Sequence, residues 1–191
     1  MISVCIPYYD GMENGAFFLK RAIDSVTSQS YKDYEIVLTN EGSMPVNTNA
    51  AIKRAKGDII KILYQDDYLA HKDSLKETAH NFKGGWLVTG CVHDDGKSIG
   101  NPHLPTWNDE MKQGKNTIGS PSVLVFENKN PFLFDERMSW LLDCELYGRL
   151  YERYGLPTFL NTVNVVIGIH PGQMTHLMSE ETKLSEYKLL K

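Results

Sequence analysis

Apolar positions in the first third of the chain alternate between two periods. Residues 2–6 are a nearly unbroken apolar run stopped by Pro7, the pattern of a strand buried on both faces. Leu19, Ala22, Ile23 and Val26 then recur at i, i+3, i+4 and i+7, which predicts a helix over 16–29. Residues 34–38 predict a second strand. Residues 47–56 predict a helix closed by Gly57 in a left-handed cap, and 58–64 predict a third strand. Strand and helix alternating at this spacing imply parallel strands joined by crossover helices. Beyond them the pattern predicts a helix carrying Leu75, Ala79 and Phe82, a strand at 86–91 and a further strand at 122–126. A mostly helical stretch follows at 135–154, with Leu142, Leu146 and Leu150 spaced by four and Gly155 ending it, then a β-rich stretch at 158–169. Residues 92–119 show little periodicity and much Gly, Pro, Asn and His, so a long functional loop is expected there.

In an open sheet of this kind, ligands bind beyond the carboxyl ends of the strands. Loops 8–15, 40–43 and 65–68 should therefore converge on one crevice. The third strand ends on the adjacent acids Asp66 and Asp67, hard oxygen ligands suited to a divalent cation that carries a phosphorylated substrate.

Composition narrows the classes. The 191 residues, 41% of them hydrophobic and 23% charged, suffice for one domain with its own core. A net charge of −4 argues against a nucleic-acid partner. Cys5, Cys91 and Cys144 are odd in number and scattered through apolar stretches, so reduced packing thiols and a cytoplasmic setting are expected. No run approaches a membrane span, and no basic leader precedes the first strand.

Three segments resemble the nucleotide-sugar glycosyltransferases of the GT-A fold, above all the inverting family 2. Val4-Cys5-Ile6-Pro7-Tyr8-Tyr9-Asp10 is similar to that family's first strand and loop. Glu35-Ile36-Val37-Leu38-Thr39-Asn40-Glu41-Gly42-Ser43 is similar to its second strand and Asp-Asp-Gly-Ser turn. Asn49-Ala50-Ala51-Ile52, continuing through Gly57-Asp58-Ile59-Ile60, resembles the segment that leads into its metal loop. The resemblance extends loosely to glycosyltransferase domains that large algal viruses (chloroviruses) use on capsid glycans. It implies a single α/β GT-A domain over 1–191 with a mostly parallel central sheet, residues 1–90 binding the nucleotide sugar and 91–191 facing the acceptor. A final amphipathic helix with Leu184, Tyr187 and Leu190 but no closing cap suggests that the domain belongs to a longer polypeptide.

The resemblance also implies roles. Asp67 aligns with the metal ligand for Mn2+ or Mg2+, with Asp66 beside it toward the ribose. Pro7, Tyr8, Asp10, Glu41 and Asn49 fall on nucleotide-sugar-binding positions, Glu41 opposite uracil. Asp143 aligns with the catalytic base and Glu145 is its alternative. His170, with His176 nearby, falls in a His-Pro-Gly-Gln segment that completes the metal shell or meets the diphosphate. The partners implied are a UDP-sugar donor and a glycan or glycoprotein hydroxyl acceptor. The match is imperfect: Thr48 stands where family members carry Arg, leaving Lys20, Arg21 or Lys115 to help the metal balance diphosphate charge. Trp107 and Trp140 offer faces for sugar stacking, though such residues are more often core. Two other readings of the same fold are a sugar nucleotidyltransferase, which the acidic loop 10–15 disfavours, and a binding module without turnover.

Overall fold

The computed structural model describes residues 1–173 and 178–190. Strands β1 (Ile2–Pro7), β2 (Tyr34–Thr39), β3 (Ile59–Ile62), β4 (Tyr68–Leu69), β5 (Trp86–Asp94), β6 (Leu124–Glu127) and β7 (Thr158–Gly168) form one sheet in the order β2-β1-β3-β6-β5-β7-β4. β1 pairs in parallel with both β2 and β3, and β5 in parallel with β7. β6 runs antiparallel between β3 and β5, and the short β4 runs antiparallel to β7 at the edge. The α-helices are α1 (Gly15–Thr27), α2 (Met44–Arg54), α3 (Ser74–Asn81), α4 (Leu142–Tyr154) and α5 (Glu180–Tyr187), with short 3-10 turns at Asp109–Gln113 and Pro121–Val123.

Every residue of β1 is buried, as its apolar run requires, and Ala22 and Val26 press the α1 stripe into the core. The chain leaves β1 toward β2, then crosses back to β3 on the other side of β1. The carboxyl ends of β1 and β3 therefore flank a topological switch point, where connecting loops diverge and leave a crevice. Among the described residues no helix is long and apolar enough to cross a membrane. The three cysteines are free and buried.

The structure moves several boundaries. α2 starts at Met44 rather than 47 because Pro45, whose fixed φ suits a first helical turn, opens it. Gly57 is not a left-handed cap: α2 ends at Ala55 in extended conformation. Gly57 is needed for closeness, since a Cβ there would fall 2.7 Å from Met1 O and 2.8 Å from Ser3 N. The 92–119 segment is more than a loop. It returns along β5 through paired Cys91–His103 backbone bonds and buries Met111 and Ile118 in the core. Helix does not extend over 135–141, where Asp135 takes the Arg137 N–H (3.0 Å) and diverts the backbone into a turn.

Candidate active site

The loop after β1 and the loop after β3 are tied together by Gln65, buried at the end of β3, whose Oε1 accepts the Tyr9 N–H. Asn47, near the start of α2, does the same for the loops after β1 and β2. Its Nδ2 donates to Tyr8 O (2.8 Å) and its Oδ1 accepts the Glu41 N–H (3.0 Å). Neither residue was singled out from sequence, although buried amides beside strand ends are the usual means of satisfying loop backbone. Together they set three loops around one crevice.

The adjacent acids lie in the turn between β3 and β4 and are held differently. Asp67 is 2% exposed; its Oδ1 accepts the Gly168 N–H (2.9 Å), and the Ser122 hydroxyl offers it a second bond. Burial, reinforced by the charge of Asp66, holds its carboxyl well above the usual carboxylate range. Asp66 faces the crevice, and its Oδ2 lies 3.1 Å from His170 Nε2. The imidazole is stacked on Phe18 (centroids 5.2 Å apart), and Gln173 Nε2 donates to Gly168 O (2.8 Å), bracing the loop that carries it. Arg21 supports the acid loop from below, donating to Asp66 O (2.6 Å) and lying over the Tyr68 ring at 4.3 Å. Asp66 and His170 are thus brought together, while Asp67 is turned inward to join β3 to β7. His176 lies outside the described residues.

Helix α4 presents Asp143 in its first turn. Asp143 Oδ1 accepts the Cys144 N–H (2.7 Å) and Oδ2 accepts Asn116 Nδ2 (2.6 Å). Asn116 is fixed in turn by the Ile118 and Gly119 N–H groups, both 2.9 Å from its Oδ1. Burial pushes the Asp143 carboxyl up to about 6, while those two hydrogen bonds pull the other way. Burial foremost, and then the charges of Asp143, Asp67 and Asp66, push the Tyr64 phenol up. Glu145, two positions along the helix, is engaged in a bidentate pair with Arg149 (2.5 and 2.6 Å).

The residues expected around the nucleotide divide. Pro7 is buried at the end of β1, Tyr8 is half-buried, and Tyr9 beside it is 60% exposed, an aromatic face not anticipated from sequence. Asp10 receives Asn40 Nδ2 at 2.6 Å. Glu41 is drawn away into an ion pair with Arg54 on α2. Asn49 is wholly occupied: its side chain exchanges bonds with Phe134 N–H (2.8 Å) and Phe134 O (2.9 Å), clamping α2 to the 133–136 turn. Lys20 pairs with Asp24 and Lys115 with Glu110. Trp107 stacks on Tyr151 at 4.2 Å and Trp140 packs edge-on to Tyr187 at 5.6 Å, so both are packing residues.

No protein-family model matches the chain. An uncharacterized glycosyltransferase of Rickettsia bellii is 34% identical over 95 residues, 50% of this chain and 13% of that protein. The putative colanic acid biosynthesis glycosyl transferase WcaA of Escherichia coli K12 is 22% identical over 225 residues, covering 98% of this chain and 78% of WcaA. The chain matches 10 to 27% of the length of the rickettsial relatives. Among solved structures, S. aureus TarS 1-349 in complex with UDP-GlcNAc superposes with a TM-score of 0.74 at 14% identity, covering 99% of this chain and 65% of that one. The mannosyltransferase PcManGT of Pyrobaculum calidifontis, in complex with GDP-Man and Mn2+, gives 0.60 at 14% identity, covering 92% and 58%. The fold is therefore the GT-A glycosyltransferase fold.

Proposed function

We propose that this domain is a metal-dependent, inverting glycosyltransferase of the family 2 type, moving a hexose from a UDP-sugar to a hydroxyl of a glycan or glycoprotein. The observation that carries the reading is the meeting of Asp66 and His170 at 3.1 Å beyond β3, at the switch point of the sheet. The named relatives are glycosyltransferases, and the superposed structures hold nucleotide sugars. Among the described residues no group of three or more His, Cys, Asp and Glu side chains is arranged to hold an ion unaided. A carboxylate and an imidazole fit Mn2+ or Mg2+ nonetheless, because such ions commonly take few protein ligands and complete their shell with substrate phosphates. Asp66 and His170 would hold the ion, and Asp67 would keep their loop in place from behind. When bound, the ion supplies positive charge against the diphosphate as it departs.

The nucleotide end is assigned to the β1 and β2 loops. Tyr8 and Tyr9 offer aromatic surface for the base, and the Asp10–Asn40 pair offers polar atoms for uracil or ribose. Glu41 would reach uracil only by releasing Arg54.

Asp143 is the proposed base. The acceptor oxygen attacks the anomeric carbon from the face opposite the nucleotide, its proton passes to Asp143, and the bond from the anomeric carbon to the diphosphate oxygen breaks. One attack on one face inverts the configuration. A carboxylate poised near 6 is largely ionised at neutral pH and yet accepts a proton more readily than an ordinary aspartate near 3.9. Its Oδ1 receives the Cys144 N–H and its Oδ2 receives Asn116 Nδ2, bonds that hold the carboxylate in place as it takes the proton.

The test is calorimetric titration of the protein with UDP, then GDP, in Mn2+ and in chelator. UDP should bind more tightly with Mn2+ and more tightly than GDP. Equal affinity for UDP with and without the metal would remove the ion from the site, and a preference for GDP would overturn the uracil assignment.

A further inference from the structure

Helix α4 starts without a cap of its own. The residue before it is Leu141, whose side chain has nothing to offer the backbone N–H groups that every helix start leaves unpaired. Glu186 of α5 instead holds the backbone that leads into this start from across the fold. It is 2% exposed, and its Oε1 accepts the Ser139 N–H (2.7 Å) while Oε2 accepts Trp140 N–H (2.9 Å) and Leu141 N–H (2.8 Å). Three N–H donors on one buried carboxylate make a set of charge-assisted bonds at the positive end of the helix dipole. They end two residues before Asp143.

The same helix also braces the partner of Asp143. A Cβ on Gly114 would fall 2.6 Å from the Tyr187 ring, so ring and backbone are packed against each other, and Gly114 stands two residues before Asn116. Tyr187 also packs edge-on to Trp140, with Lys183 Nζ 5.4 Å from the centre of that indole. α5 therefore holds both sides of the Asn116–Asp143 hydrogen bond: the 139–141 backbone through Glu186 and the 114–116 backbone through Tyr187. A helix that merely covered the core would do so more cheaply with an apolar residue at 186 than with a carboxylate taken out of water.

We propose that Glu186 is a positioning residue for Asp143, fixing the start of α4 so that the Asp143 carboxylate meets Asn116 and faces the crevice. This rests on the reading of Asp143 as the base. The test is a carboxyl 13C NMR titration of Asp143, assigned with Asp143→Asn, in wild type, Glu186→Gln and the exposed control Glu181→Gln. Cys144, Tyr64 and Tyr147, the other titratable groups that face this carboxylate, are all pushed up and stay neutral between pH 4 and 8. Wild type and the control should titrate at about 6. In Glu186→Gln the amide turns a donor toward the backbone donors, the segment loosens and water reaches Asp143. Its pKa should then fall by at least about half a unit toward the ordinary value near 3.9.

A folded Glu186→Gln that titrates like wild type overturns the proposal. If that variant does not fold, Glu186→Asp, which keeps the charge but shortens the reach, is read in the same way: a lowered pKa supports the proposal and an unchanged one overturns it. Turnover of Asp143→Asn separates the two ideas. Undiminished turnover there sinks the base assignment, while the titration still decides whether Glu186 positions this carboxylate.

Discussion

Asp66 and Asp67 are adjacent and chemically alike, and their surroundings put them to different uses. Asp67 is spent on the Gly168 N–H inside the protein, whereas Asp66 lies against His170 at the crevice. Asp67→Ala should cost about 1 to 3 kcal/mol in urea unfolding, the penalty for leaving a buried donor bare. Asp66→Ala, which gives up one partly buried bond to His170, should cost about 0.5 to 1.5 kcal/mol, less than Asp67→Ala. The order should reverse in UDP titrations, with Asp66→Ala removing the Mn2+-dependent part of binding. If Asp67→Ala removed it while leaving stability unchanged, the inward assignment of Asp67 would be wrong. Sequence placed the acid pair at the sheet edge but named Asp67 as the ligand, because a motif does not say which of two neighbouring side chains faces out. Glu41 and Asn49 diverged for a related reason: their partners, Arg54 and the Phe134 backbone, lie 13 and 85 positions further along the chain.

At the scale of elements, the end of β7 sets the height of the acid loop. Gly168 lies so close that a Cβ on it would overlap the Asp66 carbonyl oxygen, and backbone cannot swing aside as a flexible side chain can. Gly168→Ala should therefore push the acid loop away from His170. The expected result is a loss of roughly 1 to 3 kcal/mol in thermal or urea unfolding, the scale of overpacking, together with weaker Mn2+-dependent UDP binding. Wild-type stability and metal response in that variant would show that the approach is not constrained. The strands and helices of the first half were legible because each buries a regular apolar stripe, as β1 and α1 do. The return of the 92–119 segment along β5 was not legible, since it depends on pairing Cys91 with His103 rather than on any local period. The late start of α4 was equally hidden, because the backbone leading into it is held by Glu186, 45 positions away.

Across the whole molecule, the crossing from β2 over β1 to β3 creates the crevice. The GT-A architecture was readable from the strand-helix alternation together with the three resembling segments. The pairing of Asp143 with Asn116 was not, because Asn116 belongs to the aperiodic loop. The account as a whole depends on Asp143 being the group that takes the acceptor proton. Its direct test is the pH–rate profile of UDP release at saturating UDP-sugar and Mn2+, for wild type and Asp143→Asn with donor affinity measured on the same preparations. A base must be ionised to act, so the wild-type rate should fall about tenfold per pH unit below about 6 and level off above it. Asp143→Asn should bind donor as before, run about 10²- to 10⁴-fold slower and lose that acidic limb. A variant that keeps both the wild-type rate and the limb near pH 6 would contradict the account.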